Sequence, residues 1–373
     1  MKERLMNIIS KILAIISIKT SLWIVLLATL GMIGCGNNSQ FSVKPIAMGR
    51  INDVVILADK ETTDSPLGDT IISYFESAYP VLPAQEPIFN VRLMTPADLV
   101  AKPLKRELRT YVIIADLKDT ASATTKMLQQ DLGKDKWQRA LTDTAFHTSV
   151  GMNKWAQGQL IIYLFGNGDE ELSKVIAANF STVARRINMH DQSNLFATVY
   201  GIRQEDKGLQ KTIADNFGID IKLPQTFNKA LEKDNFLWLR MDYDGANQSI
   251  VIQKFPYKDK SQFDVSEIIN LRNTYGKAYI KTGSSDAYMT TNVIDLPTLE
   301  YTYTNNGLYT KEVRGIWETE NDFMGGPFVS YLMLDEAKNE VIFIDVFVFA
   351  PGKQKRDFMQ QLDIIVKTVK GRK

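Results

Sequence analysis

Asp53-Val54-Val55-Ile56-Leu57-Ala58-Asp59 decides how the first half of the chain reads: it is an apolar run of strand length between two acids. Ser65-Pro66 follows it as a helix start, with serine placed to cap and proline in the first turn. Ile71, Ile72, Phe75 and Tyr79 then recur at helical spacing. Pro80, Pro83 and Pro87 enforce an extended connection. Phe89–Met94, Thr110–Asp116 (TYVIIAD) and Gln159–Phe165 (QLIIYLF) read as further strands. Helices are expected near Ala123–Leu132 and from Asp169 to about Met189. Strands and helices in the order β-α-β-β-α-β-α give a layered α/β domain over residues 50–205, with a ferredoxin-like arrangement as one candidate.

After Glu205 the texture changes. Gly218–Pro224, Phe236–Tyr243 and Ser249–Tyr257 read as strands, and Val265–Tyr275 as a helix. Leu299–Thr304, Leu308–Trp317, Phe328–Leu334 and Glu340–Phe349 form a β-meander. A last helix, Lys353–Val369, aligns Phe358, Leu362, Ile365, Val366 and Val369 on one stripe. A mostly antiparallel sheet with packed helices is therefore expected over residues 206–373, which makes the fold α+β. In element order this half resembles the PsbP-like sandwich.

The N-terminus carries an address. Lys2, Arg4, Lys11 and Lys19 face only Glu3, and an uncharged run from Thr20 to Gly34 leads to Cys35, the single cysteine of the 373-residue chain. A basic leader with a short apolar segment is the pattern of a secretory signal, and the run is shorter than the roughly 18–20 apolar residues of a spanning helix. An uncleaved signal anchor is the alternative. Met32-Ile33-Gly34-Cys35 resembles the lipobox cut by lipoprotein signal peptidase, with a small residue before the cysteine. Residues 1–34 then form a signal peptide, and residues 35–49 a lipidated cysteine with its polar tether. The resemblance implies a thioether diacylglycerol on Cys35, usually with an N-acyl chain such as palmitate. Two or three chains give stable attachment, at about 0.8 kcal/mol per buried methylene.

Lysine and arginine number 44 against 43 acidic residues, a formal charge of +1 that turns slightly negative once the leader is removed. A nearly neutral chain without a basic block excludes an electrostatic footprint for nucleic acid. Membrane attachment is accordingly expected through lipid rather than surface charge. No partner exists for an internal disulfide.

Several motifs together resemble a known family. They are the leader with Cys35, Gly49-Arg50-Ile51-Asn52-Asp53, Leu67-Gly68-Asp69-Thr70-Ile71 and Pro87-Ile88-Phe89-Asn90. The most specific are Arg314-Gly315-Ile316-Trp317-Glu318 and Asn321-Asp322-Phe323-Met324-Gly325-Gly326-Pro327-Phe328-Val329-Ser330-Tyr331. The chain resembles the Bacteroidota lipoprotein family catalogued as domain of unknown function 4837. That likeness implies an envelope location and no activity. The lack of an acidic run after Cys35 resembles lipoproteins held at the outer membrane facing the periplasm.

Arg314, Trp317, Asp322, Phe323, Gly325 and Gly326 make the densest candidate binding surface, read as an irregular loop whose glycines free the backbone. A hairpin with its aromatics folded onto the sheet is the structural alternative. Asp345 interrupts Val341–Phe349 and shares a face with Phe343 and Phe347. If that face is covered it needs a partner, and Arg314 is the expected one, as a structural pair rather than a catalytic acid. Asp59 and Asp116 close apolar strands, where α/β folds place ligands, yet no DxDxDG loop accompanies them. Gly166-Asn167-Gly168-Asp169 lacks the Gly-Lys-Ser/Thr ending of a phosphate loop, and its acids suit a helix start. His147 and His190 have no metal-ligand spacing, and GxSxG is absent. Asp69-Thr70-Ile71, Asp119-Thr120-Ala121 and Asp143-Thr144-Ala145 resemble a short O-glycosylation motif. No metal or cofactor is expected. The sequence points to an envelope binding or assembly module with a possible protein partner. A hydrolase with two carboxyls about 5 to 9.5 Å apart in a cleft is the rival.

Overall fold

The computed structural model describes residues 44–201, 204–283 and 286–372, and Pro45–Lys373 belong to one compact unit. The leader, Cys35 and the first part of the tether lie outside the described residues.

The first sheet has strand order β2-β1-β3-β5-β4, from β1 (Asp53–Leu57), β2 (Asn90–Met94), β3 (Thr110–Asp116), β4 (Thr148–Met152) and β5 (Leu160–Gly166). β1 pairs parallel with β2 and β3, and β3 with β5; only β4 runs antiparallel. Parallel strands need crossovers, and helices supply them on both faces. Alternate residues Val54, Ile56, Val112, Ile114, Ile162 and Leu164 meet α1 (Pro66–Phe75) and the first turns of α4 (Asp169–Tyr200). Val55, Leu57, Tyr111, Ile113, Tyr163 and Phe165 meet α2 (Pro96–Ala101) and α3 (Ala123–Thr142). Burying each large apolar side chain contributes roughly 1.5–3 kcal/mol. This layer of four parallel strands, helices above and below, replaces the ferredoxin-like candidate, in which only the central pair is parallel and the helices lie on one face. β4 escaped the sequence reading because Thr148-Ser149-Val150-Gly151-Met152 is an edge strand with three of its five residues exposed.

The second sheet is antiparallel throughout. After α5 (Lys207–Phe217) and the short β6 (Ile219–Asp220) come β7 (Asn228–Lys233), β8 (Phe236–Tyr243) and β9 (Ala246–Pro256). α6 (Val265–Tyr279) separates these from β10 (Tyr288–Asn292), β11 (Leu299–Asn305), β12 (Leu308–Glu320), β13 (Gly325–Asp335) and β14 (Glu340–Phe349). The order is β10-β12-β13-β14-β9-β8-β7, with β11 following β10 along the edge of β12. α7 (Arg356–Val366) and β15 (Lys370–Gly371), paired with β6, complete the chain. Helices cover both faces: α5 and α7 one, α6 the other.

α4 links the two cores. At 32 residues it is about 48 Å long. Leu172, Val175, Ile176, Val183 and Ile187 pack under the first sheet, while Leu195, Phe196, Val199 and Tyr200 pack against the second. It runs past Met189, where the sequence reading stopped, because its apolar stripe continues into the second core.

The end of the expected tether is fastened. Gln157 N–H donates to Pro45 O at 2.7 Å, Ala47 N–H to Gln157 O at 2.8 Å and Met48 N–H to Glu107 O at 2.8 Å.

A hairpin tip and a polar seam as candidate functional sites

The Arg314–Pro327 segment is a regular hairpin, not an irregular loop. β12 carries the chain to Glu320, only residues 321–324 turn, and Gly325 already belongs to β13. Asn321 sits at φ 60°, and Thr319 N–H donates to Met324 O at 2.9 Å while Met324 N–H donates to Thr319 Oγ1 at 3.0 Å. The glycines answer crowding rather than turning. A Cβ on Gly326 would lie 1.9 Å from Val348 O and 3.0 Å from the indole nitrogen of Trp317, its cross-strand partner. Trp317 is buried at 4 % exposure, edge-on to Phe347, and donates to Val348 O at 3.3 Å. It therefore contributes no surface.

Phe323 does the opposite. Its side chain is fully exposed at the hairpin tip, next to Asp322, whose Oδ1 accepts from Phe323 N–H at 2.8 Å.

Asp345 and Arg314 are both in buried charge networks, but not with each other. Ser330 lies opposite Asp345 and Val313 opposite Ser330, whereas Arg314 lies opposite Val329. The one-residue difference puts the two side chains on opposite faces of the sheet. Asp345 is met instead by α6: Arg272 Nε donates at 3.3 Å, and the Tyr275 and Ser330 hydroxyls donate as well. Arg272 also donates to Thr291 Oγ1 at 3.1 Å and lies 3.9 Å over the Phe328 ring. Arg272 and Asp345 are wholly buried. Burial pushes Asp345 above the usual carboxylate range against the pull of Arg272, and pushes the Tyr275 hydroxyl well up.

Arg314 faces α7. It donates to Glu312 at 2.6 Å and to Asp363 at 2.9 Å, while Tyr303 donates to Glu312 at 2.8 Å and Tyr331 to Asp363. Tyr79, from the connection before β2, joins this cluster, its hydroxyl pushed up by burial and then by Asp363.

The network continues between the two sheets' layers. Asn52, 1 % exposed and at φ 67°, donates its backbone N–H to Asp191 Oδ2 at 2.9 Å. Its side-chain amide exchanges two hydrogen bonds with Gln360 of α7. Glu86 accepts from the Lys355 and Arg356 N–H groups at 2.6 and 2.9 Å, capping the start of α7 from outside. Arg109 approaches Asp191 at 3.7 Å, an ion pair too long for a hydrogen bond, and His190 Nδ1 stands 3.9 Å from the same oxygen. Burial lowers the His190 pKa and raises that of Asp191. A cleft of about 490 Å³ opens beside them, lined by Arg50, Arg109, Asn194, Thr198, Asp357 and Gln360 among others.

The other candidates have local roles. Asp59 accepts from the Ser122 and Thr124 hydroxyls at the start of α3, and Asp116 from the Gly168 and Lys118 N–H groups. Glu171 accepts from Asn167 N–H at 2.6 Å, closing the turn before α4. His147 lies 3.8 Å from Glu171. Among the described residues no group of three or more His, Cys, Asp or Glu side chains is placed to hold a metal ion. Nor, among them, is any helix long and apolar enough to cross a membrane.

Sequence reading missed Asn52, Gln360, Arg109 and Asp191. One signal was available for Asp191: it occupies the i+4 row Val183, Ile187, Asp191, Leu195, Val199, where every other member is apolar.

The chain thus joins a parallel α/β layer to an antiparallel α+β layer, and its two parts match separate families. Residues 206–368 match the Domain of unknown function (DUF4837), and residues 47–198 match a second, Domain of unknown function (DUF8532). The likeness drawn from Gly49–Asp53, Leu67–Ile71 and Pro87–Asn90 therefore falls outside the DUF4837 match. No curated protein matches the chain. Among solved structures it is similar to the Saccharomyces cerevisiae Ran-binding protein Mog1p, at 13% identity and TM-score 0.29, over 41% of this chain and 90% of that one. It is also similar to LpqN of Mycobacterium tuberculosis, involved in cell envelope biogenesis, at 11% identity and TM-score 0.25, over 40% and 81%. No activity is established for either family model.

Proposed function

We propose that this protein is a lipid-anchored binding or assembly module of the bacterial cell envelope, tied through Cys35 at the outer membrane and presenting the Asp322–Phe323 tip to a protein partner. The observation that carries the binding reading is Phe323: a wholly exposed ring on a two-strand support whose turn is held by Thr319 and Met324. An exposed aromatic ring on a backbone-braced turn is the kind of side chain enriched at protein interfaces. The leader and Met32–Cys35 support the anchor. The cleft supports an enzyme less well, because Asp357 is the one carboxylate among its lining residues and it is engaged by Arg356 at 3.0 Å. A photo-crosslinking residue at Phe323 in living cells tests the reading. A discrete protein adduct, lost from Phe323→Ala in competition with the wild-type chain, is expected. Only lipid or glycan adducts at that position would contradict it.

A further inference from the structure

The point where the chain enters the folded part is itself exposed and apolar. Ile46 and Met48 sit two residues apart in an extended segment and turn to the same outward side, 77 % and 52 % exposed. The turn that accepts the Met48 N–H, Pro103–Glu107, carries Leu104 at 71 %. The last turn of α2, immediately before it, carries Val100 at 71 %. Lys102, Lys105 and Arg106 stand among them, with Lys105 paired to Asp98 at 2.8 Å. Soluble surfaces expose large apolar residues singly, and a cluster rimmed by cations marks a contact surface.

We propose that this face lies on the membrane, with Ile46, Met48, Val100 and Leu104 entering the boundary between headgroups and acyl chains and Lys102 and Arg106 meeting anionic headgroups. Apolar residues beside basic ones are the composition of interfacial contacts. The orientation rests on the Cys35 anchor proposed above. Because Pro45 is already bonded to Gln157, about ten residue-to-residue steps separate this fixed point from Cys35, a span of at most roughly 35 Å. The face from which the tether leaves is therefore the one nearest the bilayer.

Pro45–Lys373 form one compact unit containing all four apolar clusters, so this piece can be tested without the leader or Cys35. It is expected to cosediment with vesicles of phosphatidylethanolamine and phosphatidylglycerol, and less with phosphatidylcholine alone. Met48→Ser combined with Leu104→Ser should lower partitioning about ten-fold, with the melting temperature unchanged. No cosedimentation, or partitioning that the double variant leaves intact, would overturn the proposal whatever the state of Cys35. An unlipidated Cys35 in the cellular protein would overturn the anchor reading and leave the vesicle result readable.

Discussion

Asn52 and Gln360 form a reciprocal amide pair: Asn52 Nδ2 donates to Gln360 Oε1 at 2.7 Å and Gln360 Nε2 donates back to Asn52 Oδ1 at 3.1 Å. The two residues are 308 positions apart and belong to different layers. Asn52 also binds Asp191 of α4 through its backbone, so it ties the helix that links the two cores to α7 of the second layer.

Loss of this pair should loosen the join. Gln360→Ala leaves the Asn52 amide buried with fewer partners and is expected to cost about 1–3 kcal/mol. Asn52→Ala should cost more than Asn52→Gly, since φ 67° suits glycine and disfavours alanine. Denaturant melts of the three variants check the order. Equal losses for alanine and glycine would contradict it.

The face assignment of Asp345 predicts which charges are coupled. Arg272→Met should cost about 3–5 kcal/mol by stranding a buried carboxylate, and Asp345→Leu in the same chain should recover much of that. A double-mutant cycle between Arg314 and Asp345 should give less than about 0.5 kcal/mol. Strong coupling across the sheet would contradict the register.

Trp317 and Phe323 are predicted to part company. Trp317→Ala removes a core side chain and should cost about 3–5 kcal/mol. Phe323→Ala should stay within about 0.5 kcal/mol, so any binding loss it causes is not a folding loss. Thermal melts of both variants check this.

Acid should weaken the seam through His190. Burial lowers its folded-state value, and the ring faces Asp191, Arg109, Arg186 and the Gly158 carbonyl. Above about pH 6.5 both folded and unfolded forms are neutral and the contribution is complete. As pH falls through that unfolded value, the unfolded chain takes the proton first and stability is lost until the folded value is reached. His190→Asn should flatten this part of the stability profile, and an unchanged slope would refute the assignment.

Which features were legible follows from how local their causes are. The strands and most helices were readable because Val54–Leu57, Thr110–Asp116 and the α7 stripe declare themselves within one element. Asp345 was readable as an acid needing a partner because Phe343 and Phe347, on its own face of an apolar strand, are apolar. Its partner was not, because Arg272 lies 73 residues away and only register decides which face is met. The direction of β2 and β5 is likewise a property of crossovers rather than of the strands. Trp317 and Phe323 share a motif, yet strand alternation buries one and the turn exposes the other. Asn52 looked like any turn residue, since its importance comes from a helix near the other end of the chain.

The account stands or falls first on the anchor. Intact mass of the protein extracted from cell membranes measures it directly. The predicted result is residues 35–373 bearing a diacylglycerol and an N-acyl chain. The mass of all 373 residues with an unmodified Cys35 would contradict it.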